Sequence, residues 1–346
     1  MTNQGGQEAP HFTKELLLSA LRHLRGDFEA SISGEATDER ARSRMAGAQR
    51  LGLDKIAPEA IPAIDQALDD VAKLVWPGGL DQRYLGLVGT IDKLAEISTR
   101  LLPHDAEHAH LTTLAEVISK ASIAAGSGIR TNEVTRMRGL YVILDPDQTA
   151  GRELESVAEQ ALAGGATALQ LHVKAADKGD WVERARKLTE LAERHEASLI
   201  VTNHTDLAVA AEAHGVHLGR TDLSLADARK VLRPWQVAGT HKSSPDDAIA
   251  SCEAGVDYIS ITPLFPKESR VFANAESAGL DSLTKLRDAL AGSGPPIVAG
   301  GGITIQNAPS LAKAGADCIA VMGAVTLTEE PERAAHDLLA AFNGGH

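Results

Sequence analysis

Polar side chains able to hold phosphate or move protons recur in this chain at the ends of short apolar runs. Gln170, His172 and Lys174 alternate along one run, so an extended backbone can turn all three to one face. Asn203 and His204 close the next, and Arg220 and Asp222 follow a third. His241 and Lys242 end a fourth, and Lys267, Ser269 and Arg270 follow a fifth. Cationic groups in this series can neutralise phosphate, and His241, at a run's end, suits acid–base work. His217 lies inside GVHLG and reads instead as an inward-facing core histidine with a satisfied ring. Two later runs end in glycine: Pro296–Gly302 and Cys318–Gly323, the latter continuing into Ala324. Gly300, Gly301 and Gly302 let backbone N–H groups approach a ligand with no side chain between. Thr304 follows as the expected N-cap, with Asn307 three residues on. A helix start beside such a turn favours an anion, although the same glycines also suit two ordinary turns.

These groups need a scaffold that gathers run ends in one place. From Gly139 onward eight short apolar runs alternate with amphipathic stretches: GLYVILD, ATALQLHV, SLIVTN, GVHLG, QVAGTH, DYISITPLF, PIVAGG and CIAVMG. Eight such units suit a single (β/α)8 TIM barrel, whose chemistry sits where its strands end and whose last two loops hold phosphate. An open doubly wound sheet would need a glycine-rich first turn, whereas the first run here ends in Asp145-Pro146-Asp147. A phrase recurs where helices give way to strands: Gly165-Ala166-Thr167, His214-Gly215-Val216, Gly255-Val256-Asp257 and Gly315-Ala316-Asp317. Glycine there can end each helix in the left-handed region. Ser244-Pro245 and Thr328-Glu329-Glu330 mark expected helix starts.

The first part of the chain has another grammar. Ile61, Ile64, Leu68, Val71 and Val75 form a helical stripe, and Ile91, Leu94, Ile97 and Leu101 form another. The expected class is α/β: an all-α helical domain over 1–130, then a barrel over 138–346. The helical part carries no motif of its own; it could dock a protein partner or make a homo-oligomer. His104 and His108 could share a helix face there, a weak case for metal binding.

The net charge of -13 and the lack of a long basic run argue against a nucleic-acid partner. No apolar run reaches the roughly 20 residues that span a bilayer. The N-terminus lacks a signal-peptide pattern, and Cys252 and Cys318 show no metal-ligand spacing. A reducing cytoplasm is the expected setting.

The ordered series QLHVK at 170–174, VTNHTDLAV at 201–209, GVHLGRTDL at 215–223, DYISITPLFP at 257–266, IVAGGGIT at 297–304 and GADCIAVMGA at 315–324 resembles the thiamine-phosphate synthase/TenI family. That resemblance covers roughly Arg138 to Phe342. It implies a transferase of thiamine biosynthesis that couples a hydroxymethylpyrimidine diphosphate to a thiazole phosphate with Mg2+. By position it implies that Gln170 and Lys174 hold diphosphate and that Asn203 and Asp222 sit beside the metal. Gly301, Gly302, Gly323 and Ala324 would receive the thiazole phosphate. Lys174, Asn203 and His241 are then the expected catalytic residues. His172, Lys267, Ser269 and Arg270 join the expected substrate-binding set, and Asp222 and His204 the metal set.

The departures have a direction. His172 stands where the family has arginine, His204 where it has a metal-binding aspartate, Arg220 where it has glutamine, and Gly323 where it has serine. The threonine-rich flap reads Lys267-Glu268-Ser269-Arg270. One carboxylate is lost and cations are gained, which weakens a hard Mg2+ site. Two other readings follow: a TenI-like thiazole phosphate tautomerase using His241 or His204, and a non-catalytic phosphate-binding protein with a partner-binding helical domain.

Overall fold

The computed structural model describes residues 130–173, 178–219, 221–242, 245–265, 279–290 and 294–344, with scattered positions before residue 130. The chain divides into two compact units, Met1–Ile129 and Arg130–His346. Lys174, Arg220, Lys267, Ser269, Arg270, His104 and His108 lie outside the described residues.

In the first unit every described residue is helical. Leu18 and Leu21 are buried, and the Arg25 guanidinium pairs with Glu29 one turn on and with Asp65 forty residues away.

The second unit is a closed barrel of parallel strands in the order β1 to β8. The strands are β1 (Gly139–Leu144), β2 (Ala168–Leu171), β3 (Ser198–Thr202), β4 (Gly215–Leu218), β5 (Val237–Lys242), β6 (Tyr258–Ile261), β7 (Ile297–Gly300) and β8 (Cys318–Val321). Each falls within one of the eight apolar runs, save that β5 extends one residue further, to Lys242. The runs are nearly continuous because both faces are covered, one by helices and one by the barrel interior. The helices that follow are α1 (Leu154–Ala163), α2 (Lys178–Arg194), α3 (Thr205–Ala210), α4 (Leu225–Val231), α5 (Pro245–Glu253), α6 (Gly279–Ala289), α7 (Ala308–Lys313), α8 (Gly323–Thr326) and α9 (Pro331–Asn343). One apolar cluster lies between strands and helices, and a second, including Met137, Ile200, Val237 and Val298, fills the barrel. A helical segment at 130–135 adds Val134 to that interior cluster, and its Glu133 accepts a 2.7 Å hydrogen bond from Ser198 Oγ.

The recurring joint phrase has two structural uses. Gly165, Gly255 and Gly315 take φ values of +98, +82 and +95, the left-handed turn that ends a helix. The aspartate two residues on then ties neighbouring strands at their starts: Asp257 accepts the Ala238 N–H at 2.7 Å and Asp317 the Ile297 N–H at 2.9 Å. The joint before β4 departs from the expectation, since Gly215 lies in the strand and Glu212 supplies the left-handed residue at φ 54.

Two expected helix starts shift. The helix after β7 begins at Ala308 with Asn307 as N-cap residue; Thr304 and Asn307 instead bond each other's backbone N–H across a turn, at 3.3 and 2.8 Å. Thr328 donates its hydroxyl to the Val325 carbonyl at 3.0 Å, and α9 starts at Pro331 after Glu330.

Candidate active site

A cavity of about 420 Å3 opens along the barrel axis toward the carboxyl ends of the strands. Alternation within the strands selects its walls: Tyr141 and Ile143 from β1, Gln170 from β2, Thr202 from β3, His217 from β4, His241 from β5, and Tyr258 and Ser260 from β6. His172, just past β2, joins them, as do Thr262, Gly300, Gly301, Gly302, Gly323 and Ala324. No described Lys, Arg, Asp or Glu lines the cavity. Its described titratable groups are therefore three histidines and two tyrosines.

The floor is a hydrogen-bonded column. Tyr141 Oη and Tyr258 Oη are 3.1 Å apart, and Tyr258 Oη is 3.0 Å from His217 Nδ1. The rings of His217 and Tyr258 stack with centroids 5.7 Å apart. Both tyrosines are buried, so each O–H needs an acceptor. Donation from Tyr141 to Tyr258, and from Tyr258 to His217 Nδ1, satisfies both. The reverse order leaves the Tyr141 O–H with no acceptor among the described residues. His217 therefore carries its proton on Nε2. Burial, with His241 adding like-charge repulsion, pushes its pKa down to about 3. This is the satisfied, neutral core histidine that its place within GVHLG implied, and it also faces the cavity.

On the β2 wall Gln170, 8% exposed, donates through Nε2 to Thr202 Oγ1 at 2.7 Å. That bond fixes the amide and leaves its second Nε2–H as a donor and its carbonyl as an acceptor. His172 Nδ1 lies 3.4 Å from Asp145 Oδ2. The Asp145 side chain is wholly buried, and its Oδ1 accepts the Asp147 N–H at 3.0 Å, capping the short 3-10 turn after β1.

Asn203, His204 and Asp222 follow β3 and β4 and are not among the residues that line the cavity. Asn203, one residue past β3, has φ 68, a strained conformation that asparagine tolerates better than most residues and that recurs at functional sites. Asp222 Oδ2 accepts the Gly219 N–H at 2.6 Å. A Cβ on Gly219 would stand 3.1 Å from Asp222 Oδ2 and 3.6 Å from Asn203 Oδ1, so both side chains converge there. His204 precedes α3 without capping it through its side chain.

This donor set does not fit a protein-held Mg2+. One carboxylate, with one oxygen already bonded to a backbone N–H, stands with an amide and an imidazole, while Mg2+ demands hard oxygen ligands in near-octahedral array. Among the described residues no three His, Cys, Asp or Glu side chains form a metal-binding group.

The β7 and β8 ends form a glycine cradle. Gly301 and Gly302 have φ of +88 and +68. A Cβ on Gly301 would meet Pro263 Cα at 2.6 Å. One on Gly323 would meet Leu327 Cδ1 at 3.0 Å. Among the described residues no turn, cap or side-chain bond uses the N–H groups of Gly302, Gly323 or Ala324. α8 begins at Gly323, so its first N–H groups open on the same space.

Of the residues expected from sequence, the cavity brings together Gln170, His172, His241, Gly301, Gly302, Gly323 and Ala324. Asn203, His204 and Asp222 are not among its lining residues. Sequence reading missed Tyr141, Thr202, Tyr258, Ser260 and Thr262 as lining. Their inward alternation within the strands was the available signal, but a parallel strand buried on both faces hides which face looks inward.

Residues 140–325 match the family described as thiamine monophosphate synthase. A thiamine-phosphate synthase of Thioalkalivibrio sulfidiphilus is 38% identical over 208 residues, covering 60% of this chain and 96% of that protein. One of Anaeromyxobacter dehalogenans is 35% identical over 228 residues, covering 66% of this chain and 96% of that protein. The solved thiamine phosphate pyrophosphorylase of Pyrococcus furiosus is similar at 31% identity and TM-score 0.54, covering 61% of this chain and 98% of that one.

Proposed function

The chain belongs to the thiamine monophosphate synthase family, and we propose that its barrel joins a hydroxymethylpyrimidine diphosphate to a thiazole phosphate, releasing pyrophosphate. The observation that supports this reading is one cavity with two walls suited to anions. Gln170 and His172 stand on the first, and the cradle of Gly301, Gly302, Gly323 and Ala324 forms the second. Two phosphorylated substrates brought into one cavity would gain proximity and orientation, a large part of what a coupling reaction asks of its catalyst.

In this reading the thiazole phosphate rests on the glycine cradle and the diphosphate faces the β2 wall. Lys174, and Lys267, Ser269 and Arg270 after β6, would add charge and hydrogen bonds to the anions. Asn203, with Asp222, would hold polar groups at the rim. Mg2+ would be held mainly by substrate phosphate oxygens, with Asp222 as its protein carboxylate and His204 a poor replacement for a second one. The test is conversion of the two substrates by the purified full chain to thiamine phosphate and pyrophosphate in equal amounts.

His241, facing the cavity from β5, favours a second reading in which the barrel moves a proton on a thiazole phosphate without any diphosphate. Product analysis with the thiazole phosphate alone separates the two.

The first 130 residues would form an all-α unit, supported by the helical state of every described residue there and the Arg25–Asp65 pair. A cytoplasmic setting accords with the free thiols of Cys252 and Cys318. No described helix is long and apolar enough to cross a membrane.

A further inference from the structure

The geometry points to Arg152 as the residue that positions the β8 side of the glycine cradle, by clamping the far end of α8 to the turn that follows β1. The inference rests on the synthase reading above, in which Gly323 and Ala324 receive the thiazole phosphate, and it names what holds them in place.

α8 spans only Gly323–Thr326. A single helical turn does not hold itself in water, so its place must come from what it touches. Gly323 and Ala324 line the cavity, and so does Leu327, just past the end of the turn. Thr326 is wholly buried, and the carbonyl of a helix's last residue has no partner within its own helix. The Arg152 guanidinium supplies one, donating from Nη2 to the Thr326 carbonyl at 2.8 Å. The same peptide group reaches the cradle from its other edge, because the Leu327 N–H donates to the Gly323 carbonyl at 3.2 Å. A planar trans peptide points its C=O and N–H in opposite directions. Arg152, one peptide plane and Gly323 therefore form a line of hydrogen bonds. A charged donor at one end polarises the peptide and strengthens its donation at the other.

The near end of the clamp is fixed as well. Arg152 donates to the Thr149 carbonyl twice, from Nε at 3.0 Å and from its backbone N–H at 3.2 Å. The Thr149 hydroxyl returns a bond to the Arg152 carbonyl at 2.7 Å. Ala150 and Gly151 between them take φ of 53 and 78, which closes the chain into a tight turn. The turn is tied in its own right to the end of β1, since the Gln148 N–H donates to the Asp145 carbonyl at 2.8 Å and the Asp145 side chain accepts the Asp147 N–H at 3.0 Å. β1 and β8 are paired neighbours in the barrel, so a side chain from the turn after one holds the backbone after the other. Arg152 does not itself line the cavity and is a positioning residue. Lysine is a poor substitute, because its donors sit on one atom, whereas the guanidinium reaches two carbonyls from Nε and Nη2.

The experiment compares the full-length wild type with Arg152→Met, which keeps an apolar stem, and Arg152→Lys. Coupling kinetics are read for each substrate, with calorimetric titration of thiazole phosphate alone and thermal melting as the folding control. A purely structural loss lowers kcat with the folded fraction and leaves both KM values unchanged; a displaced cradle acts on one KM. Arg152→Met is expected to raise KM for the thiazole phosphate about tenfold and KM for the pyrimidine diphosphate by less than about twofold, with Arg152→Lys between wild type and Arg152→Met. The calorimetric affinity for thiazole phosphate should fall in step. An unchanged thiazole phosphate KM in folded Arg152→Met, or an equal rise in both KM values, overturns the inference. Should Arg152→Met fail to fold, Arg152→Lys decides by the same split. Should the wild type bind thiazole phosphate but make no thiamine phosphate, the synthase reading fails alone, and the ratio of wild-type to variant affinity still decides the role of Arg152. A wild type that binds no thiazole phosphate overturns both.

Discussion

The ring of Tyr258 occupies the space that a side chain on Gly239 would need: a Cβ there would stand 1.9 Å from Tyr258 Cζ. β5 and β6 are register partners at these two residues, so the glycine lets the phenol lie across its neighbour. From there Tyr258 reaches both Tyr141 and His217.

Gly239→Ala is therefore expected to displace the ring and break the column at the cavity floor. Overpacking of a filled core costs typically about 1–3 kcal/mol. Chemical denaturation should show a loss in that range, and Gly239→Ala, Tyr258→Phe should recover none of it, because the clash is with the ring and not the hydroxyl. An unchanged midpoint in Gly239→Ala would mean that the barrel floor yields without strain.

The histidines of the barrel should make stability depend on pH. Burial lowers the pKa of His217 to about 3 and lowers that of His214, whose Nδ1 accepts the Leu199 N–H at 3.0 Å. Both pKa values are depressed in the folded state, so the unfolded chain binds more protons below the ordinary histidine range near 6.5. Stability is then full above about pH 6.5 and falls as pH drops toward the folded pKa, by at most about 1.4 kcal/mol per pH unit for each group. Denaturation between pH 7 and 4.5 tests the slope, and His217→Gln should flatten it. A slope identical in wild type and variant would remove His217 from this role.

The glycine cradle gives a binding prediction. Gly301→Val places a branched side chain against Pro263 at a φ of +88, where side chains are rarely found. Affinity for the thiazole phosphate should fall at least tenfold, with Gly301→Ala intermediate and thermal melting as a folding control. Equal affinity in a folded variant would put the phosphate elsewhere.

Metal dependence should be shallow. His204 and an Asp222 oxygen already bonded to the Gly219 N–H give Mg2+ few hard ligands. His204→Asp is expected to lower the Mg2+ concentration needed for half-maximal turnover several-fold. If titration shows no change, His204 does not correspond to the metal position of the family.

The strands were legible in sequence because each is a short apolar run between helical stripes, and parallel strands covered on both faces have that form. The glycine ends of β7 and β8 were legible for a related reason: no other residue accepts the φ of +88 at Gly301 so readily. The helix starts at Thr304 and Thr328 were misplaced because a hydroxyl before a polar residue can close a turn as well as cap a helix. The Tyr141–Tyr258–His217 column was hidden because it joins three strands, and spacing along one chain does not say which inward residues meet. The Asp145–His172 pair was hidden likewise, since its partners lie at the ends of β1 and β2, 27 residues apart in number but neighbours in the barrel.

The most direct measurement is mass-spectrometric product analysis of the purified full chain incubated with hydroxymethylpyrimidine diphosphate and thiazole phosphate, with and without Mg2+. The expected result is thiamine phosphate and pyrophosphate in equal amounts, formed faster by wild type than by His172→Gln. Isomerised thiazole phosphate with the diphosphate left intact, or no product at all from the folded chain, would contradict it.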